Sequence, residues 1–191
     1  MRLLALLALS LLLVAGGCGG EQEETGSDTA PRSAEPAGSR AVVRTSHGTF
    51  TIGLARDAAP GTTGSFIRLA RKHFFDGTTF HRIVPGFVIQ GGDPTGTGTG
   101  GPGYSVTEPP PADTRYTKGV VAMAKGGDEP PGTSGSQFFV VTGPDTSLPP
   151  EYAVLGKVTA GLDVVERIGA LGDPTTERPT ERVRVRSITI R

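Results

Sequence analysis

One stretch of the sequence decides the fold more than any other: Phe80-His81-Arg82-Ile83-Val84-Pro85-Gly86-Phe87-Val88-Ile89-Gln90-Gly91-Gly92-Asp93. Two short runs of β-branched and aromatic residues flank Pro85-Gly86, a dipeptide typical of turns, so the stretch predicts two strands joined by a turn. Arg82 and Gln90 lie among apolar neighbours in these runs. A polar group on a half-buried sheet needs a partner, whereas an arginine that faces solvent needs none, and the pattern leaves both interpretations open.

Further strands are predicted on both sides of this hairpin, in the β-rich runs Ala41–Thr45, Thr49–Leu54, Val120–Ala124, Gln137–Val141, Val154–Val158 and Val183–Ile190. Ser46-His47-Gly48 predicts a hairpin turn between the first two. In the last run, strict alternation puts Val183 and Val185 on the face opposite to the neighbouring arginines. The stretch Ser134–Val140 combines glycine, a polar amide and paired aromatic residues, as a peptide-binding groove would.

Two helices are also predicted. Thr62 or Thr63 can cap the first, which continues through Ala70, and basic residues near its end suit the helix macrodipole. The second covers Leu162–Ile168. Many short antiparallel strands with two helices predict a mainly β fold, a closed barrel with capped ends.

The composition excludes several classes of protein. Glycine and proline, with 29 and 16 residues, approach the range of disordered low-complexity chains. However, the charged fraction is only 20% and the net charge is zero, so the chain does not repel itself and nothing in its charge favours nucleic acid as a partner. One cysteine excludes an internal disulfide, and with three histidines it argues against a structural zinc site.

The glycines and prolines are concentrated in residues 91–150, which hold 13 and 10 of them. Glycine allows close backbone approach and proline stiffens loops, so this region is predicted to hold long loops between strands. Gly96–Gly101 matches G-x-G-x-x-G, but no predicted helix follows, which favours a surface loop over a dinucleotide site. Nothing specific favours a hydrolase triad, although the spacing of the histidines does not exclude one.

The N-terminus has the features of an export signal. Arg2 precedes an apolar run, Leu3–Ala15, which at about 13 residues is too short to span a bilayer and has the length of a signal-peptide core. Small residues and then Cys18 follow, an ending that resembles a bacterial lipoprotein signal, although Ala15 stands where that family usually has leucine. An ordinary secretory signal cut near Gly17 and a buried N-terminal helix are the alternatives. In the lipoprotein interpretation, Cys18 carries the lipid and begins the mature protein.

The chain divides into three parts. Residues 1–17 are predicted to be the lipoprotein signal peptide and residues 18–40 a flexible tether, because 19–39 contain no Val, Ile, Leu, Phe or Tyr and burial cannot offset the cost of ordering them. An acidic binding tail is the alternative for the tether. Residues 41–191 form the predicted folded domain, which a lipid anchor on Cys18 would hold at a bacterial membrane, outside the cytoplasm.

Taken together, the motifs resemble those of a cyclophilin-type peptidyl-prolyl cis-trans isomerase. They occur in the order of that family: F-H-R-x-x-P-G-F-x-x-Q-G-G-D from Phe80, G-T-G-x-G-G-x-G-Y from Gly96, G-S-Q-F-F from Gly135 and L-G-K-V from Leu155. The resemblance covers Ala41 to Arg191. It implies an eight-stranded antiparallel closed β-barrel capped by two α-helices, with the substrate groove on its outside.

The resemblance also assigns site residues. It implies Arg82 as the catalytic residue, His81 and Phe138 as supporting residues, and a substrate-binding set of Phe87, Val88, Gln90, Met123, Ala124, Lys125, Gln137, Phe139, Leu148 and Tyr152. Val88 stands where many members carry methionine, and Lys125 where asparagine is usual. No cofactor or metal is implied, the partners are proline-containing polypeptides, and we expect a monomer.

The implied function is acceleration of rotation about X-Pro bonds, which would assist folding outside the cytoplasm. The alternative is a proline-peptide chaperone or adaptor with little catalysis.

Overall fold

The computed structural model describes residues 38–191, in which β-strands dominate. The elements in chain order are β1 (Arg40–Thr45), β2 (Gly48–Leu54), α1 (Pro60–Arg71), β3 (Arg82–Val84), β4 (Val88–Gly91), β5 (Val106–Thr107), β6 (Val120–Met123), β7 (Thr133–Ser134), β8 (Phe138–Val141), β9 (Val154–Ala160), α2 (Leu162–Gly169) and β10 (Val185–Ile190). All predicted strands and both predicted helices are present. The predicted signal peptide, Cys18 and most of the predicted tether lie outside the described residues.

Eight strands form one antiparallel sheet in the order β10-β1-β2-β9-β6-β8-β4-β3, and β5 pairs with β7 separately. The hairpin predicted from the deciding stretch is β3 and β4, in which Arg82 pairs with Gln90 and Val84 with Val88. That register places the two polar residues directly opposite each other.

The prediction of a closed barrel is wrong, because the sheet is a curled, open half-barrel. Its two edge strands, β3 and β10, do not pair with each other. Strand β3 is only three residues long, and the segment before it approaches β10 through Thr79, which makes isolated bridges to Asp93 and Arg184. Isolated bridges at Thr79 and a few backbone hydrogen bonds of its neighbours replace the continuous ladder that closure would require.

The main core lies on the inner side of the curled sheet. The two helices bury apolar residues against it, among them Phe66 and Leu69 of α1 and Val165 and Ile168 of α2. Phe138 is fully buried, and its ring contacts the rings of Phe66, Phe75 and Phe80 edge-on.

A second, smaller apolar cluster lies apart from this core. Its buried members are Val88, Tyr116, Ala122, Phe139 and Val141. Because side chains alternate along a strand, neighbouring residues of β4, β6 and β8 contribute to different clusters. These three strands therefore separate two apolar surfaces, which we call the inner face and the outer face.

The last strand departs from the strict alternation that its sequence predicts. Val183 and Val185 are buried and the arginines between and after them are exposed, as predicted. The register then shifts between Arg44 and Thr45 of β1, whose partners are Ser187 and Val185. This bulge puts Ile188 in the core, on the face that strict alternation would have given to Ser187.

Helix α1 begins earlier than predicted. Pro60 occupies the first turn, where its missing N–H costs nothing, and both Thr62 and Thr63 are buried inside the helix rather than capping it. The carboxylate of Glu108 accepts hydrogen bonds from the N–H groups of Gly61 (3.1 Å) and Thr62 (2.8 Å) instead. Within residues 38–191, the structure contains no helix of the length and apolar character needed to cross a membrane.

Candidate active site

A cavity of about 360 Å³ lies over the outer face. Nine residues line it, and all of them belong to the predicted site: Arg82, Phe87, Val88, Gln90, Ala124, Lys125, Phe139, Leu148 and Tyr152. Three strands and three connecting segments thus bring together residues up to 70 positions apart in the sequence. Among the described residues, no serine, cysteine or histidine lines this cavity.

Aromatic rings form the floor of the cavity. The Phe139 ring packs edge-on against Tyr152, with centroids 5.5 Å apart, and lies 6.3 Å from Tyr116. The buried Tyr116 hydroxyl donates to the carbonyl of Tyr152 (2.7 Å) and accepts from its N–H (2.9 Å). Tyr116 therefore fixes the backbone of Tyr152, and with it one wall of the cavity.

Arg82 brings a positive charge to the rim of this apolar cavity. Its Nε donates to Glu177 at 2.7 Å and its Nη1 donates to the side-chain oxygen of Gln90 at 3.3 Å. A guanidinium has five N–H donors, so three remain beyond these two contacts. The first of the two interpretations left open by the sequence is correct, because the charge on the sheet has partners.

A chain of amides continues from Arg82. The Gln90 amide nitrogen donates to the side-chain oxygen of Gln137 at 3.0 Å. The Gln137 amide nitrogen in turn donates to the carbonyls of Gly98 and Gly100, each at 2.9 Å. Each amide is oriented by its neighbour, so the rim of the cavity is held in one hydrogen-bond pattern.

Asp93 anchors the glycine-rich loop that receives this chain. It is fully buried, and its carboxylate accepts from the N–H groups of Thr95, Gly98 and Gly100. Burial acts to raise the pKa of Asp93, but the hydrogen bonds from Thr95 and the two glycines outweigh it and hold the pKa at about 2. The N–H groups of Gly98 and Gly100, in the Gly96–Gly101 loop, thus bind an internal carboxylate.

The side chain of Lys125 is turned away from solvent, with only 4% of it exposed. Its ammonium donates to the carbonyls of Gly126 and Glu129 and lies 3.2 Å from the Glu151 carboxylate. It also lies 5.8 Å from the centre of the Tyr152 ring. The lysine that replaces the usual asparagine therefore holds the following loop and does not extend freely into the cavity.

A second cavity of about 590 Å³ adjoins the first. Gln90, Ala124 and Lys125 line both, and Gln137 and the 98–105 loop line the second. Together the two cavities form an extended groove between the segment that follows β6, at Ala124 and Lys125, and the glycine-rich loop. A groove of this shape suits a peptide in an extended conformation.

Three residues of the predicted set lie elsewhere. Met123 and Phe138 belong to the inner core and are 1% and 0% exposed, so neither lines the cavity. His81 is half-buried behind the glycine-rich loop, near Gly98. Burial lowers its pKa, and the nearby charge of Asp93 opposes that effect.

Sequence reasoning missed three contributors to the site. Tyr116 fixes Tyr152, Asp93 anchors the glycine loop, and Glu177 binds Arg82 from 95 residues away. Asp93 belongs to the deciding stretch, but its role depends on where the following loop turns back, which the sequence does not show. Among the described residues, no group of three or more His, Cys, Asp or Glu side chains could hold a metal ion.

Comparison with known proteins agrees with this geometry. The family model described as "Cyclophilin type peptidyl-prolyl cis-trans isomerase/CLD" matches residues 40–190. The chain is 37% identical to peptidyl-prolyl cis-trans isomerase CYP18-2 of Arabidopsis thaliana, over 80% of this chain and 95% of the relative. It is 48% identical to peptidyl-prolyl cis-trans isomerase B of Bacillus subtilis, over 60% of this chain and 79% of the relative.

A solved structure shares the fold. It is a cyclophilin-type peptidyl-prolyl cis-trans isomerase of Cryptosporidium parvum, crystallised in the presence of the dipeptide Ala-Pro. It superposes with a TM-score of 0.72 at 29% identity and covers 80% of this chain and 98% of its own. The chain described here therefore belongs to the cyclophilin-type peptidyl-prolyl cis-trans isomerase family.

Proposed function

We propose that this isomerase binds proline-containing segments of polypeptides outside the cytoplasm and that Arg82 catalyses rotation about the X-Pro bond. One observation carries the assignment of Arg82: its guanidinium lines an apolar cavity while two fixed contacts leave three of its donors unused. A proline ring fits an apolar cavity with an aromatic floor, and its flanking carbonyl needs a donor at the rim.

The reaction requires no bond to be broken. The barrier of about 18–20 kcal/mol arises because rotation abolishes the resonance of the amide. As resonance is lost, the lone pair localises on the prolyl nitrogen, which becomes a hydrogen-bond acceptor. A guanidinium donor directed at this nitrogen stabilises the twisted amide more than either planar isomer, which is what accelerates the rotation.

The remaining residues of the cavity would bind the substrate. Phe87, Val88, Phe139 and Leu148 would enclose the proline ring, and Gln90 would hold the substrate backbone beside Arg82. The backbone at Ala124, between the two cavities, would pair with the extended peptide, while Gln137 contributes a polar wall to the second cavity.

A proline-limited refolding assay tests the catalytic role. Arg82→Ala should lower kcat/KM at least tenfold, about 1.4 kcal/mol of transition-state stabilisation. Arg82→Lys should be a poor substitute because it lacks the planar fork. If wild type binds proline peptides but does not accelerate refolding, the chain acts as a chaperone or adaptor instead. If Arg82→Ala matches an active wild type, the assigned mechanism is wrong.

The proposed location rests on the N-terminal sequence. The short apolar run, the small residues before Cys18 and the polar segment after it support export, lipidation of Cys18 and attachment to a bacterial membrane through a tether. Two or more acyl chains on one cysteine suffice for stable attachment. The clients would then be proteins that fold outside the cytoplasm.

Cys18→Ser tests the anchor. The variant should be released from membranes or remain unprocessed, and wild type should gain the mass of the lipid after loss of residues 1–17. Unchanged membrane retention and unchanged mass in the variant would contradict lipidation at Cys18. An ordinary secretory signal would instead give a soluble mature protein cut near Gly17 in both forms.

A further inference from the structure

Arg82 has a carboxylate partner that does not itself line the cavity. Glu177 accepts a hydrogen bond from the Arg82 Nε at 2.7 Å and is not among the residues that line the cavity. We infer that Glu177 is a positioning residue, which holds the guanidinium of Arg82 in the orientation needed for isomerisation. The inference rests on the catalytic role proposed above for Arg82.

Two contacts at different nitrogens define the plane of the guanidinium. Glu177 binds Nε and Gln90 binds Nη1, at 2.7 and 3.3 Å. Because the group is planar and rigid, fixing these two nitrogens also fixes the directions of the remaining N–H donors. Without Glu177, only the longer contact to Gln90 would restrain a side chain with several rotatable bonds.

The backbone around Glu177 is held against strand β3. The Ile83 N–H donates to the carbonyl of Glu177 at 2.8 Å, and the Glu177 N–H donates to the carbonyl of Asp173 at 2.8 Å. Glu177 has φ of 56°, a left-handed conformation that is uncommon for a residue with a Cβ. Such a conformation persists where the surroundings enforce it, and it commonly occurs near functional sites.

The loop from 172 to 180 is internally braced. The Asp173 side chain accepts from the N–H groups of Thr175 and Thr176, each at 2.8 Å. Gly172 packs so closely on β3 that a Cβ there would collide with the carbonyl oxygen of Ile83 and approach Pro85 at 2.8 Å. The carboxylate of Glu177 is therefore presented by a fixed loop and not by a mobile one.

The partial exposure of the Arg82–Glu177 pair indicates that its main effect is to orient the guanidinium and not to stabilise the fold. The side chains of Arg82 and Glu177 are 37% and 45% exposed. Ion pairs with this much solvent contribute little to the free energy of unfolding. A pair that stabilises the fold weakly can still restrict one side chain, and catalysis is sensitive to small misplacements of a catalytic group.

Steady-state isomerisation kinetics of Glu177→Ala and Glu177→Gln test the role. We expect Glu177→Ala to lower kcat about three- to tenfold with KM changed less than twofold. Glu177→Gln should recover most of kcat, because its amide oxygen can still accept from the Arg82 Nε. Glu166→Ala is the matched control, since Glu166 is 48% exposed, pairs with Lys118 at 2.8 Å, and neither residue lines either cavity.

A double-mutant cycle separates positioning from a structural effect. In the Arg82→Ala background, Glu177→Ala should cause no further loss of kcat/KM, because the group to be positioned is gone. Equal fold losses in both backgrounds would overturn the inference, as would a wild-type kcat in Glu177→Ala. A wild type with activity that Arg82→Ala abolishes would leave the proposed function intact in either case.

The proton on the Nε of Arg82 gives an NMR readout that does not depend on isomerase activity. In ¹⁵N-resolved NMR spectra of the wild type, we expect the Arg82 Nε–H signal to be dispersed and protected from solvent exchange. Glu177→Ala should shift it to the averaged position of exposed arginines, while Glu166→Ala should leave it unchanged. An Arg82 signal that is already averaged in the wild type would overturn the inference even if the protein had no isomerase activity.

Discussion

The inner and outer faces of strands β4, β6 and β8 carry similar residues with different consequences. Phe138 faces inward and is 0% exposed, and Phe139 faces outward and is 4% exposed. The inward ring is surrounded by other phenylalanines of the core, whereas the outward ring borders a cavity open to solvent. Burial alone therefore does not distinguish a packing residue from a binding residue. The two are distinguished by whether open space lies beside the ring.

The largest expected effect concerns the inner face. Phe138→Ala should lower the free energy of unfolding by about 3–5 kcal/mol, because it removes a buried ring and leaves a void among rigid neighbours. Urea denaturation of the variant and wild type measures the difference. A loss below about 1 kcal/mol would show that the inner face can collapse around the void, which would contradict rigid packing around Phe138.

The matching change on the outer face should affect binding more than folding. Phe139→Ala should cost about 1.5–3 kcal/mol of stability, the transfer term without a sealed void, because solvent can enter the space. It should also raise KM at least tenfold in the refolding assay, since the floor of the cavity is removed. Folded Phe138→Ala should keep the wild-type KM. A raised KM in Phe138→Ala together with an unchanged KM in Phe139→Ala would contradict this distinction between the two faces.

At the rim of the cavity, the buried carboxylate of Asp93 supports the outer face. Its pKa of about 2 lies below the ordinary value of 3.8, so its ionised form stabilises the fold by about 2 kcal/mol. That stabilisation is complete above pH 3.8 and is lost as the pH falls towards 2. Urea midpoints between pH 2 and 6 should therefore rise with pH in wild type.

Asp93→Asn is the control for this window. It should be less stable than wild type near neutral pH, because the amide NH₂ faces backbone N–H donors, and it should lack the rise in stability between pH 2 and 3.8. A variant with the wild-type pH dependence would assign the acid transition to other carboxylates.

His81 should give the smallest effect, and in a different pH range. Burial lowers its pKa below 6.5, so the unfolded chain binds more protons than the folded chain between the two pKa values. Stability should rise with pH through this window and level off above pH 6.5. His81→Gln should remove that component of the slope. Urea midpoints at pH 5–7.5 test it, and an unchanged slope in the variant would contradict the assignment to His81.

The sequence predicted the long elements of the fold well, because each has its own local pattern. The hairpin around Pro85-Gly86 and the strands on either side were located to within about two residues. Strands β5 and β7 were missed because each has two residues, too few for any periodicity. Closure of the barrel could not be predicted from alternation, since it depends on hydrogen bonds between the two edge strands.

The site was predicted through motifs and not through periodicity. Every residue lining the first cavity was in the predicted set. Five of the nine lie within the motifs themselves, and Ala124, Lys125, Leu148 and Tyr152 were assigned through the family resemblance between the motifs. Met123 was placed in the substrate-binding set although its side chain lies in the inner core, because a strand that is apolar on both faces does not show which face is the core. Phe138, given as a supporting residue, also lies in the inner core. Glu108 and Glu177 act on residues 46 and 95 positions away, which no local pattern reveals.

The open sheet has a consequence for contacts between copies of the protein. At the start of β10, Gly77 donates to the carbonyl of Val185, and just before the strand Phe80 donates to the carbonyl of Val183. The outer edge of β3 is covered where Ile83 donates to Glu177. Unpaired edges are the usual templates for intermolecular strand addition and aggregation. The loop that presents Glu177 to Arg82 therefore also covers an edge of the sheet that could otherwise pair with a second copy of the chain.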